Sequence, residues 1–199
     1  DSIEFLSWDR PDLRELNRAL LDSGFRVGRR KVFVELDLTD FASRTAAPFS
    51  YVSLADVGER AFVDVMSRAA EGDPFEDVTA RDPTTDFREL VEYAGETFDP
   101  TWWRIARKGR RTIGVVLPQR FPGPASEGTL FYVGVLPQER GRGFGRALHA
   151  EGLGFLARAG VRHYIGSTDE RNAPMIRIFE ANKCRRKGVQ LFLTASAAG

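Results

Sequence analysis

The chain has 199 residues, with 29 Lys and Arg against 28 Asp and Glu and a formal net charge of +1. That is long enough for one domain of ordinary size with an appendage, and the balance of charge gives no global field toward nucleic acid or a membrane surface. There is no apolar run of the roughly 20 residues a membrane-spanning helix needs and no leader pattern, and the single cysteine, Cys184, excludes an intrachain disulfide and fits a reducing, cytoplasmic setting.

The chain starts at Asp1 rather than Met, which implies an upstream segment or processing. A first helix is predicted with Asp9 as its cap and Pro11 in its first turn, where a missing N–H costs little. Leu13, Leu16, Leu20 and Leu21 mark its apolar stripe, and Gly24 ends it. A strand follows, with Val32, Val34, Leu36 and Leu38 on one face and Glu35 and Asp37 on the other. Residues 39–48 are small and polar and read as a linker. A strand is expected over 49–54. Ser53 and Asp56 have capping-box spacing and open a helix with Val57, Ala61, Phe62, Val65, Met66 and Ala69 on one face. In the acidic stretch 71–82, Glu71, Asp73, Glu76, Asp77 and Asp82 form a solvated loop or an attraction for a cationic acceptor. The next helix starts at Asp82 and Pro83, carries Phe87, Leu90, Val91 and Ala94 on one side, and stops at Gly95. Residues 102–107 and 112–117 read as a hairpin turning at 108–111. Trp102 and Trp103 then face opposite ways, one into the core and one toward a cleft. Pro118, Pro122 and Pro124 make 118–126 a connecting loop.

Residues 129–136 are an aromatic and aliphatic strand, stopped by Pro137, which has no N–H for a ladder. The turn Arg140, Gly141, Arg142, Gly143, Phe144, Gly145 follows. The helix after it carries Leu148, Gly152, Phe155, Leu156 and Ala159 on one face, with Gly160 as its stop. Alternate glycines let a backbone approach a ligand and gather N–H groups into one concavity. The positive end of the helix dipole faces the same place, and Arg140, Arg142 and Arg146 add positive charge. The arrangement reads as a phosphate cradle or, at its plainest, a tight turn with nothing bound. A Walker A loop, G-x-x-x-x-G-K-[ST], is absent. A dinucleotide fingerprint, G-x-G-x-x-G, finds Gly141 and Gly143 but meets Arg146 at its third glycine. Downstream come a strand over 161–167, Asn172 as a helix cap with Pro174 in the first turn, and a closing strand over 188–193.

A strand ending in V-x-P followed by [QR]-x-x-G-x-[GA] is the pyrophosphate-loop signature of the GNAT superfamily of acyl-CoA-dependent N-acyltransferases. Val135, Leu136 and Pro137, then Arg140 to Gly145, match it in full. The chain resembles that family closely over 128–193, and in the order of its elements over 49–120. The resemblance implies an α+β GNAT fold, a mixed and mostly antiparallel central sheet flanked by helices, complete over 46–199. Residues 19–26 also line up with 178–185, and 32–34 with 191–193. The helix and strand of residues 1–45 thus resemble the tail of a GNAT domain, a partial second unit, or are a generic appendage. The free edge of that strand is expected to join the main sheet or a second copy, which makes a homodimer one expected assembly.

The resemblance further implies acetyl-CoA as cosubstrate, no metal, and a small-molecule or peptide amine as acceptor. Pyrophosphate would lie on the amides from Gly141 to Arg146, ringed by Arg140, Arg142 and Arg146 and bounded by Phe144 and Gly145. The pantetheine arm would run along Val133, Gly134 and Val135, where the strand and its neighbour splay. The acyl carbonyl would lie near the 133–135 amides, placed to stabilise a tetrahedral oxyanion. Asn172 would bond the arm, unless it is only a cap. An alkylammonium of pKa about 10.4 must lose a proton before it attacks. Glu127 is the candidate base, or else a solvated carboxylate, while His149 and His163 read as structural. Many relatives carry a proton-donating tyrosine on the last helix. Phe179 stands there, beside the cofactor, which leaves the role to Tyr132, Tyr164 or water. The alternative is a non-catalytic acyl-CoA-binding or regulatory module with the N-terminal unit as an interaction surface.

Overall fold

A computed structural model describes residues 2–41, 49–75 and 82–196. Most of the expected linker, with Glu76 and Asp77, lies outside those residues. The strands are β1 (Ser2–Trp8), β2 (Arg26–Asp37), β3 (Ser50–Ser53), β4 (Arg104–Lys108), β5 (Arg111–Arg120), β6 (Glu127–Val135), β7 (His163–Asp169) and β8 (Arg185–Ser196). The helices are α1 (Arg14–Asp22), α2 (Leu54–Val57), α3 (Glu59–Ala70), α4 (Pro83–Ala94), α5 (Phe144–Arg158) and α6 (Ala173–Ala181). The fold is α+β, and its strand pairing is mixed and mostly antiparallel. The chain forms two compact units, Asp1–Glu35 with Gly166–Gly199, and Leu36–Ile165.

In the first unit the strand order is β1-β8-β2, antiparallel throughout. The expected pairing of the N-terminal strand is seen here, with Val32 opposite Val189 and Lys31 opposite Gln190. The repeat also has a backbone form. Phe25 N–H donates to the Leu20 carbonyl and Cys184 N–H to that of Phe179. Ser23 bonds Ala19 as Asn182 bonds Ile178, and Gly24 bonds Leu21 as Lys183 bonds Glu180. Each helix ends through a left-handed residue, Gly24 at φ 94° and Lys183 at φ 66°.

Two sequence expectations are corrected in this unit. Asp9 does not cap α1; a 3-10 turn, Pro11–Leu13, precedes the helix, and the Asp9 carboxylate pairs with Arg30 at 2.7 Å. Strand β1 was not expected from the sequence. Its apolar residues do not alternate with burial: Ile3, Phe5 and Leu6 all lie exposed, and Ser7 is the buried residue. What fixes β1 is its antiparallel ladder with β8, from Ser2 opposite Ser196 to Trp8 opposite Gln190, with side-chain bonds at its end. Ser7 Oγ donates to Asn17 Oδ1, and Asn17 Nδ2 donates to the Trp8 carbonyl at 2.9 Å.

In the second unit the order is β7-β6-β5-β4-β3. One face is covered by α3 and α4, whose stripes meet Trp103. That indole is fully buried, and Phe98 and Phe87 stand edge-on to it at 5.0 and 5.7 Å. Its Nε1 donates to the buried Gln119, whose amide donates in turn to Thr97, so the polar atoms of this core are paired. Trp102, the other member of the pair, stacks edge-on against Phe155. The capping box at Ser53 and Asp56 forms as expected. The other face is covered by α5, with Leu148, Leu153 and Leu156 fully buried. Helix α5 lies close to the sheet because Gly152 has no side chain: a β-carbon there would stand 2.8 Å from Leu130.

Pro118 is not in a loop, as the sequence suggested, but inside β5. It sits at a register shift, where a missing N–H removes little from the ladder. At that shift Val116 pairs with Val133 and Pro118 with Leu130, so Leu117 faces both Phe131 and Tyr132. This β-bulge turns both rings toward the α3 and α4 face, while Val133 and Val135 point to the α5 face.

Candidate active site

The C-terminal half of β6, the turn after it and the first turn of α5 all belong to the second unit. Leu136 N–H donates to the Ile113 carbonyl at 2.9 Å. Backbone N–H groups alternate in direction along an extended strand. Gly134 therefore also turns its N–H toward β5, and Val133 and Val135 turn theirs to the opposite edge. On that edge the parallel ladder with β7 covers Glu127 with His163 and Gly128 with Tyr164, and stops there. Beyond it the edge amides of β6 face away from β5.

A short 3-10 turn, Pro137–Glu139, carries the chain into the glycine turn. Gly141 and Gly143 adopt φ of 75° and 77°, which L side chains rarely accept, and no atom lies within 4 Å of a β-carbon built on either. Gly143 is the N-cap of α5, and no side chain caps that helix. Gly143 has no side chain to accept from the first N–H groups, which stand at the positive end of a helix of 15 residues. A pyrophosphate meets both needs, acceptor oxygens and negative charge. The residues present therefore fit the cofactor that the turn implies.

The three arginines around the turn differ in role. Arg142 Nη1 lies 3.3 Å from Glu139, whose carboxylate is almost wholly buried and also receives Arg111 Nη1 at 3.1 Å. Arg140 turns away from the cradle: its Nη2 donates to the Ala69 carbonyl at 2.9 Å and its Nε to the Val135 carbonyl at 3.1 Å. Arg146 is exposed on the first turn of α5. In this structure the Arg140 fork bonds two backbone carbonyls on different elements. No local signal marks Glu139 or Arg111 as turn supports; they are 28 positions apart.

The catalytic candidates are scattered. Tyr132 lies beside Gly134: a β-carbon at 134 would fall 2.8 Å from its hydroxyl and 2.9 Å from Ala69 Cβ. Its phenol therefore reaches along β6 toward the edge amides. Glu127 begins β6, six positions before Val133, about 20 Å away along an extended strand; its carboxylate faces His163 at 3.8 Å. Tyr164 is buried in the core, 3.1 Å from His149 Nε2. His149 is fully enclosed, and burial pushes its pKa down to about 3, so the imidazole is neutral. In the first unit, Asn172 caps α6, its Oδ1 accepting from Met175 N–H at 3.1 Å, and Phe179 is buried. Among the described residues no group of three or more His, Cys, Asp or Glu is gathered as a metal site. No described helix is long and apolar enough to cross a membrane.

Residues 66–183 match the family model described as the acetyltransferase (GNAT) family. The chain belongs to the GNAT acetyltransferase family. Curated relatives within it include a mycothiol acetyltransferase from Geodermatophilus obscurus, 32% identical over 98 residues that make up 47% of this chain and 32% of that protein. Another, from Thermobispora bispora, is 33% identical over 88 residues, 42% of this chain and 30% of that protein. The chain spans about a third of the length of these relatives. Among solved structures, a GCN5-related N-acetyltransferase from Sphaerobacter thermophilus superposes with a TM-score of 0.70 at 20% identity, covering 97% of this chain and 59% of that one. A tandem GNAT protein from the clavulanic acid biosynthesis pathway gives 0.69 at 18% identity, covering 100% and 64%. At these identities the structural likeness concerns the fold of this GNAT protein and not its acceptor.

Proposed function

We propose that this GNAT protein is an N-acetyltransferase that moves the acetyl group of acetyl-CoA to a primary amine. The observation that carries this reading is the turn from Gly141 to Arg146. Its backbone is held open by two left-handed glycines at the uncapped start of α5, next to a strand edge with outward amides.

Bound acetyl-CoA supplies a thioester whose carbonyl carbon is open to attack by an amine. The N–H groups of Gly141 to Arg146 hold the pyrophosphate, and the edge of β6 pairs with the extended arm. One of the outward N–H groups of Val133 and Val135 donates to the carbonyl oxygen as charge builds on it, and the other pairs with the arm. As the C–N bond forms and the C–S bond breaks, the Tyr132 hydroxyl gives its proton to the departing sulfur. The alkylammonium would release its first proton to bulk water before attack, and the second, lost as the amide forms, would return to the Tyr132 oxygen through water. The bulge supports this role for Tyr132, since it turns the ring to the same face as α3.

The relatives named mycothiol acetyltransferases support acetyl as the group transferred. A panel of primary amines with acetyl-CoA, read by thiol release and by the mass of the acetylated amine, tests the reading. Amine-dependent thiol release with acetylated product is expected. CoA binding with no amine-dependent release from any member would point instead to an acyl-CoA-binding module.

A further inference from the structure

We infer that Arg140 is a positioning residue, and that its guanidinium fork sets the separation between α3 and the cofactor-bearing edge of β6. The inference rests on the turn being the CoA site. It departs from the expectation that the arginine opening the turn is a phosphate ligand.

Three observations converge on it. Arg140 Nη2 donates to the carbonyl of Ala69, in the last turn of α3, where a helix leaves its final carbonyls without partners. Its Nε donates to the carbonyl of Val135, which lies on the edge of β6 turned away from β5. Ala69 also presents its methyl group to Gly134, where there is no room for another side chain. One planar side chain thus ties the end of a helix to the end of a strand across the point where β6 meets the turn. The tie depends on fork geometry and not on charge alone, because two donors of fixed spacing meet two carbonyls on different elements. A lysine supplies the same charge as a single point and cannot span both. The tie uses two of the five Arg140 N–H donors, and phosphate falls to the backbone amides of the turn. Helix α3 is then held at a fixed distance from the amides of Val133 and Val135.

The test compares Arg140→Lys, Arg140→Ala and the control Arg142→Ala in the full chain. CoA affinity is measured by calorimetry, and amide hydrogen exchange is followed over 66–72 and, as reference, over 83–94, with and without CoA. The expected result is exchange over 66–72 at least ten-fold faster in Arg140→Lys and Arg140→Ala alike, with 83–94 unchanged and CoA affinity within three-fold of the parent. In the parent, CoA slows exchange over 66–72, and both Arg140 variants lose that response. The inference is overturned if Arg140→Lys exchanges like the parent, or if Arg140→Ala loses ten-fold or more of CoA affinity while Arg140→Lys keeps it. The latter result would make Arg140 a phosphate ligand. A parent protein that binds no CoA would contradict the cofactor reading instead, and the exchange without CoA would still report on the tie.

Discussion

Gly114 of β5 and Gly134 of β6 meet so closely that a β-carbon on Gly114 would lie 2.0 Å from the Gly134 carbonyl oxygen. Backbone cannot move aside as a side chain can. Gly114→Ala should therefore break the pairing beside the edge amides and cost about 2–4 kcal/mol, in the range of overpacking and strain. A urea unfolding curve reads the loss directly. A midpoint equal to that of the parent would mean that this strand contact is not as close as described.

Lys183 is the one non-glycine residue at positive φ among the described residues, and it stands where Gly24 stands in the N-terminal repeat. A β-carbon in the left-handed region costs about 1–2 kcal/mol, partly offset by the lower entropy that lysine has in the unfolded chain. Lys183→Gly should stabilise by about 0.5–1 kcal/mol and raise the thermal midpoint by about 1–3 °C. A fall in the midpoint would show that the lysine side chain holds more than its backbone strain costs.

His149 makes stability depend on pH. Burial holds its folded pKa at about 3, below the ordinary histidine value of 6.5, so the unfolded chain takes up a proton that the folded one refuses. This contribution is neutral above pH 6.5. As pH falls toward 3 it lowers stability by about 1.4 kcal/mol per unit. His149→Gln should flatten that part of the curve, whatever its effect at pH 8. A variant whose stability falls as steeply as the parent's between pH 6 and pH 4 would remove His149 from the account.

Tyr132→Phe removes the proposed proton donor and keeps the ring that packs by Gly134. Amine-dependent thiol release should fall by about 10-fold to 100-fold, at or below the usual range for general acid catalysis. CoA affinity should stay within about two-fold of the parent. A variant with unchanged turnover and an unchanged pH–rate profile would exclude Tyr132 from proton transfer. Phe179→Tyr serves as the companion, with turnover expected to stay level or rise.

Much of the site-bearing unit was legible because its signals are local. Pro137, the alternate glycines and the α5 stripe define strand, turn and helix within one stretch, and Ser53 with Asp56 announced its own capping box. What stayed hidden depends on contacts distant in sequence. Strand β1 has no buried alternation and is held by its ladder with β8, about 190 positions away, so its period held nothing to read. Pro118 looked like a loop residue because the register shift that accommodates it belongs to the pairing with β6. The bulge that turns Tyr132 toward α3 has no sequence signature of its own. The bond from Arg140 to the Ala69 carbonyl was hidden because the two lie 71 positions apart.

The central claim is that the backbone of the turn holds CoA. Gly143→Asp tests it most directly, since the substitution places a β-carbon at φ 77° and a carboxylate in front of the uncapped start of α5. Titrating CoA into the parent and the variant by calorimetry should give saturable binding by the parent and a loss of at least about 100-fold in the variant, from lost geometry and from charge repulsion together. Equal affinity in the two proteins, with both folded by circular dichroism, would contradict the account.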